Sequence, residues 1–503
     1  MDFFLSLAWL LGAMFFGIAM GSMTGLIPGF HVNNVALILL SLSPAFLALG
    51  IPLFAVAAII VACGTVHTFL NYIPSALIGA PDADQALALL PGHRMLLQGN
   101  APKGVAYSAR GSQLGLLLSL PLIIVARIVF GPELNLYGEL RDSLPWILLV
   151  ISSILLITET TRLSWPIWVQ KSPLGAVLGD DSRVAGFISA TAYFLLTGFY
   201  GWAVFSLPAE SPVGMPSASL LLPSLAGLFG IANLIDIYST QAELPPQNLD
   251  WEMPPAKPLM VPCFLSSVAG ACMGVLPGMT AAQATVLVMG GRNVAAKIKG
   301  EEGYGMDFDN RMISDIQQEH LLEKARMMSA EHPDLSFDDA RNEQDLEVIA
   351  ILSAVNTAVT VMVLGFLYII GRSRSGATLA LKMMYPIDTW ASIEPTTDFI
   401  RLLAVMIASG MISVPIMFIV GRGVLKLHEL IPLKTMIMSV IIFVTLLVWF
   451  STGWIGLGVL IVGTVMGLMP PRIGIRRSHG MGIILVPIMI YTFAQKYDAF
   501  GFI

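Results

Sequence analysis

Long apolar runs recur from one end of this sequence to the other, and most are long enough to cross a bilayer as a helix. The hydrocarbon core is ~30 Å thick and a helix rises about 1.5 Å per residue, so roughly 20 apolar residues span it. Runs of this kind fall near 3–26, 32–48, 50–78, 112–131, 144–159, 184–206 and 217–238, and again near 259–290, 348–371, 397–421, 435–450, 452–470 and 481–495. Backbone groups in lipid must be paired within the segment or in a closed barrel. These runs are continuous rather than short and alternating, so the expected fold is an all-α polytopic bundle of roughly 10–14 embedded elements, not a β-barrel. Charged residues make up 12% of the 503 positions, about half the share of a soluble domain, so most of the surface faces lipid. The first run follows Met1-Asp2-Phe3-Phe4 without a basic segment and continues past any small-residue cleavage site, which reads as a retained first helix in a multi-pass cell-membrane protein.

Charge is concentrated. The formal net charge is −6, and 291–347 alone carries 14 acidic and 7 basic residues, a balance of −7, leaving about +1 for the remainder. That stretch is expected to be a soluble, acidic insertion with one or two amphipathic helices. No basic stripe suits a nucleic-acid partner. Cys63, Cys263 and Cys272 lie inside apolar stretches without metal-type spacing, and are expected to be small buried hydrophobes. No cofactor motif is present. A Pro-rich polar linker, 241–258, divides a first membrane unit, 1–240, from a second, 259–503, which contains the insertion. The short loop with Arg472, Arg476 and Arg477 is the densest basic connection, and basic short loops favour the cytoplasm.

The two units share a motif. GSMTGLIPG (21–29) and GACMGVLPG (270–278) both read G-x-x-x-G-x-x-P-G, and further on Thr65, Thr68 and Gly79 align with Thr357, Thr360 and Gly371. The spacing predicts two structural repeats of inverted topology, each with a broken or re-entrant helix. Proline lacks an N–H and clashes with the preceding turn, so Pro28 and Pro277 end their helices. Gly29 and Gly278 then let the chain turn. A helix N-terminus opened at depth carries partial positive charge, and breaks at matching positions of two repeats mark transporter binding sites. The G-x-x-x-G portion also suits close helix packing.

Polar groups after each break are the binding candidates: His31, Asn33 and Asn34 after the first, Thr280 and Gln283 after the second. They can hydrogen-bond a carboxylate, help hold a coupling cation, or cap the next helix. Thr68 and Asn356 sit inside apolar helices, where polar groups need partners. Arg372, Arg374 and Ser375 form a turn between apolar runs, in which a guanidinium can clamp a carboxylate. His67 is a proton-carrier candidate.

These segments resemble the large permease subunit of the tripartite tricarboxylate transporters. The likeness runs through GLIPGFHVNN (25–34), GVLPGMTAAQA (274–284), IPSALIGAPDADQALALLPGHRMLLQG (73–99) and VNTAVTVMVLGFLYIIGRSRSGATLAL (355–381), in the same order over nearly the whole chain. Ala80-Pro81-Asp82 and Arg372-Ser373-Arg374-Ser375 depart from the family's glycine-proline turns, as in a divergent archaeal-type branch. The resemblance implies a secondary transporter of a small organic anion, coupled to Na⁺ or H⁺. It further implies a small membrane subunit and an extracytoplasmic binding protein as partners, beside membrane lipid; a homodimer is an open alternative. A lipid-phosphate flippase and an intramembrane enzyme are the competing readings. No HExxH, GxSxG or Walker lysine motif favours the enzyme.

Overall fold

The computed structural model describes residues 3–27, 32–78, 89–157, 159, 163–164, 181–208, 210–212, 220–239, 245–276, 281, 284–285, 288–289, 291–292 and 335–497. The described chain is helical apart from one two-residue strand pair, β1 (Leu163–Ser164) with β2 (Asp181–Ser182). Among the described residues, 11 helices are long and apolar enough to cross a membrane. Large apolar side chains cover their outer surface: Phe15, Ile124, Phe199, Val261, Ile419 and Ile461 are all exposed, as a lipid-facing surface requires.

The first unit contains α1 (Phe3–Leu26), α2 (Val32–Ser41), α3 (Ser43–Ala48) and α4 (Leu53–Leu70), which runs on into a π-helical turn, Pro74–Ile78. After these come α5 (Leu89–Leu97), α6 (Ala101–Phe130), α7 (Tyr137–Ile157), α8 (Arg183–Ser206) and α9 (Leu221–Ser239). The second comprises α10 (Ala256–Val275), α11 (Leu335–Ile369), α12 (Gly376–Met384), α13 (Thr397–Leu430), α14 (Leu433–Gly467), α15 (Met469–Ile473) and α16 (Gly482–Tyr497).

Small residues set how these helices meet. A Cβ added to Gly21 would lie 2.8 Å from Val66 Cβ, and one added to Gly25 would lie 2.9 Å from Leu70 Cβ. Between α10 and α11, a Cβ on Gly270 would lie 2.8 Å from Ala358 Cβ, and one on Gly274 would lie 3.1 Å from Met362 Cβ. The glycines of both G-x-x-x-G motifs therefore seat backbone against backbone. Both pairs are parallel, because successive glycines meet successively later residues.

Parallel α1 and α4 oblige the chain between them to return, and α2 and α3 do so. Val32, Val35, Ala36 and Leu39 of α2 pack with Val56, Ile60 and Cys63 of α4. Val32 lies 3.7 Å from where a Cβ on Gly64 would stand, near the middle of the Leu53–Ile78 span. Helix α2 thus begins at mid-depth and runs to the face where α4 starts, called here the first face. The expected single run at 32–48 is two short helices, split where Ser43 and Pro44 begin a new turn.

Helix α14 is a hairpin. Gly453 sits at φ 64° and ψ −154°, outside helical geometry. Before it, Ile437 clusters with Leu234 and Ile237, and Val444 with Ile231, so this arm runs antiparallel to α9. After it, Gly463 meets Ser224 and Gly467 meets Ala232, so the second arm runs parallel to the same helix. Opposite directions along one neighbour require a reversal, and a glycine supplies the positive φ. The separate runs expected at 435–450 and 452–470 correspond to the two arms.

Helices α7, α8, α9, α14 and α16 pack mainly on one another, whereas α1, α4, α6, α10, α11 and α13 form the second group. Cys63 and Cys263 are buried, but Cys272 is exposed. The expectation of three buried thiols fails there because position 272 lies on the α10 face turned away from α11.

Candidate functional site

Two of the site candidates, Thr68 and Asn356, lie where α4 crosses α11. Thr68 Oγ1 lies 3.1 Å from Thr360 Oγ1, two residues aligned by the sequence repeat. Each hydroxyl also bonds the carbonyl one turn back: Thr68 to Gly64 at 2.8 Å and Thr360 to Asn356 at 3.2 Å. A hydroxyl has one proton to donate, so this set of close oxygens holds lone pairs left over, a suitable environment for a hard cation. Beside it, Asn356 is 5% exposed and its Nδ2 has no acceptor among the described residues. A buried amide left unpaired costs about 1–3 kcal/mol, so it is a donor awaiting a partner. Ser353, one turn before Thr357, meets Ser108 of α6 at 2.9 Å.

Asn33 reaches the second unit. Its Oδ1 accepts from Ala377 N at 2.9 Å, which caps α12 rather than the helix Asn33 belongs to. Ser375 and Thr378 complete a capping box on the same turn: Thr378 N donates to Ser375 Oγ at 3.2 Å and Ser375 N to Thr378 Oγ1 at 3.1 Å. The N-termini of α2 and α12 therefore lie side by side at mid-depth. From there α12 runs to the first face, where the Tyr385 ring lies 5.7 Å from that of Phe54, tilted by 59°. Side chains occupy two of the α12 N–H groups, those of Ala377 and Thr378, so a ligand there would meet Asn33 and Ser375 before bare backbone.

The two arginines of the preceding turn differ. Arg372 is exposed. Arg374 is half-buried, donates from Nη2 to Tyr137 Oη at 2.9 Å, and lies 5.4 Å from that ring's centre. Burial lowers its pKa from the usual guanidinium value, with Tyr137 acting in the opposite sense. His67 meets Thr24 of α1 at 3.2 Å, in the α1–α4 interface. Pro28, Gly29, His31, Thr280, Gln283, Pro277 and Gly278 lie outside the described residues, as does the side chain of Asn34. Among the described residues no group of three or more His, Cys, Asp or Glu is placed to hold a metal ion.

Two buried ionic clusters escaped the sequence reading. Arg94 of α5 pairs with Asp345 of α11 at 2.6 Å, the aspartate being 1% exposed. Glu159, after α7, bonds His479 Nε2 at 2.8 Å with both side chains fully buried, and accepts from Arg476 N at 3.3 Å. Arg477 pairs with Asp236 beside them. The one available signal was a lone carboxylate at the end of an apolar run, which does not reveal its partner.

Fold and site define a class: a polytopic helical membrane protein in which two short helices, α2 and α12, begin side by side at mid-depth. The chain belongs to the tripartite tricarboxylate transporter TctA family, whose model matches residues 11–313 and 322–482. That family is one of transporters rather than enzymes. An uncharacterized protein of the archaeon Methanocaldococcus jannaschii is 28% identical over 272 residues, covering 53% of this chain and 58% of that protein. The chain thus matches somewhat over half the length of this distant relative, in line with an archaeal-type branch. No solved structure matches.

Proposed function

We propose that this chain is the permease of an ion-coupled transporter for a small di- or tricarboxylate, built from two inverted repeats and working by alternating access. Units 1–240 and 259–503 are the repeats, joined by the linker 241–258. The carrying observation is the shared register of the two G-x-x-x-G helices: Gly21 and Gly25 meet Val66 and Leu70 as Gly270 and Gly274 meet Ala358 and Met362. The matched helices α4 and α11 then touch at the matched Thr68 and Thr360. Two related units with polar groups at their crossing suit a cavity that opens to either side in turn. In this reading Asn356, Asn33 and Ser375 face the anion with Arg372 and Arg374. Thr68 and Thr360 face the coupling Na⁺, or exchange protons in an H⁺-coupled cycle. His31, Asn34, Thr280 and Gln283 complete the site from the two breaks at Pro28-Gly29 and Pro277-Gly278. A small membrane subunit and an extracytoplasmic binding protein are the expected partners.

The second face is read as cytoplasmic. Its short connections hold Arg94 and Lys103, then Arg422, Lys426 and Lys434, then Arg472, Arg476 and Arg477, and basic short loops are retained inside. The described ends of the charged insertion meet on this side, where Arg292 and Glu347 pair at 2.6 Å. The first face, with Tyr385, Trp390 and Phe54, then looks outward.

The test is thermal unfolding of the purified full chain with citrate or succinate, in sodium or choline buffer and across pH 5–8. A ligand at 100 times its Kd stabilises the folded state by about 2.7 kcal/mol. Citrate or succinate is expected to raise the midpoint, and Asn356→Ala to blunt the rise. No response to either carboxylate in any of these buffers refutes the reading.

A further inference from the structure

Arg374 is held in an incomplete way. A guanidinium offers five N–H donors. Nη2 donates to Tyr137 Oη, while Nε is buried and has no acceptor among the described residues. Nε–H and the adjacent Nη2–H form the edge that a carboxylate engages with both oxygens. Tyr137 therefore covers half of a carboxylate-binding edge and leaves the other half unsatisfied. The same tyrosine's ring centre lies 5.4 Å from Arg374 Cζ, within cation–π reach, and helps hold the group in place. Arg372, two residues earlier on the same turn, is exposed and adds positive charge to the approach.

The contact also joins separate parts of the molecule. Tyr137 opens α7, which packs on α8 and α16, whereas Arg374 leads into α12, which packs on α2 and α4. Tyr137 lies where α6 ends and α7 begins, and Arg374 at the turn that opens α12.

We propose that Tyr137 is a placeholder for substrate: an arriving carboxylate takes Nε–H and Nη2–H of Arg374, displaces the Tyr137 hydroxyl, and so releases α7 from the turn before α12. This rests on the carboxylate reading above and assigns it a trigger. No covalent bond is made or broken; one neutral acceptor gives way to two charged oxygens. Charge-assisted hydrogen bonds are about twice as strong as neutral ones, so the exchange favours the anion. It also satisfies Nε, which the tyrosine leaves bare.

The experiment compares wild type, Tyr137→Phe, Arg374→Gln and Arg374→Lys as purified full-length chains, titrated with citrate and with succinate by thermal unfolding and calorimetry. Tyr137→Phe keeps the ring but removes the competing acceptor, so the apparent Kd is expected to fall about 2- to 10-fold, the range one net hydrogen bond supports. Arg374→Gln is expected to abolish that gain and weaken binding, and Arg374→Lys, lacking the two-pronged edge, to recover little of it. Unchanged or weaker binding in Tyr137→Phe, with Arg374→Gln still impaired, overturns the placeholder and leaves the carboxylate site intact. Full binding in Arg374→Gln removes Arg374 from the site and the placeholder with it. A wild type silent to both carboxylates overturns the transport reading and this inference together.

Discussion

Replacing Gly21 or Gly270 by alanine tests the shared helix register directly, because each added methyl has one predictable place to go. At Gly21 it would stand 2.6 Å from the Cys63 carbonyl oxygen and 2.8 Å from Val66 Cβ. At Gly270 it would stand 2.8 Å from Ala358 Cβ and 3.0 Å from the Val355 carbonyl oxygen. Carbon contacts are comfortable at about 3.5–4.0 Å, so each helix pair must part by roughly 0.5–1 Å, which forfeits about a quarter to a half of every contact across the seam. Overpacking of this kind costs about 1–3 kcal/mol, against up to about 1 kcal/mol gained from alanine's better helix propensity. Gly12→Ala isolates the propensity gain, since nothing lies within 4 Å of a Cβ on Gly12. Thermal unfolding of the three variants in one detergent should leave Gly12→Ala at or above wild type. Gly21→Ala and Gly270→Ala should fall below Gly12→Ala by similar margins, a few degrees at about 2–4 °C per kcal/mol. If both behave like Gly12→Ala, the close seams are wrong. If only one is damaged, the two units do not pack alike and the repeat argument fails.

Two further outcomes are expected. Glu159→Ala leaves His479 and Arg476 buried without their carboxylate, and should destabilise the chain by about 3–5 kcal/mol with Glu159→Gln milder; denaturation within about 0.5 kcal/mol of wild type would show the cluster to be dispensable. For orientation, a membrane-impermeant maleimide should label Ile393→Cys, 95% exposed at the first face, in intact cells carrying Cys272→Ala, but Lys426→Cys only after permeabilisation; the reverse pattern inverts the assignment.

Local sequence determined the class of molecule and a few of the places where its helices stop. Apolar runs longer than a bilayer's hydrocarbon core admit little besides spanning helices, and the runs flanking Gly453 were separable because glycine and the polar pair Ser451-Thr452 interrupt them. The matching G-x-x-x-G-x-x-P-G motifs and the offset joining Thr68 to Thr360 were equally visible in the chain. What spacing along a helix does not carry is which face meets which distant neighbour. Only the tertiary structure brought Thr68 and Thr360 to 3.1 Å across 292 positions, turned Asn33 into a cap for α12, and set Tyr137 against Arg374. Glu159 and His479, 320 residues apart, are joined for the same reason: in an apolar surrounding a buried charge must find its partner, but no local pattern says where in the chain that partner lies.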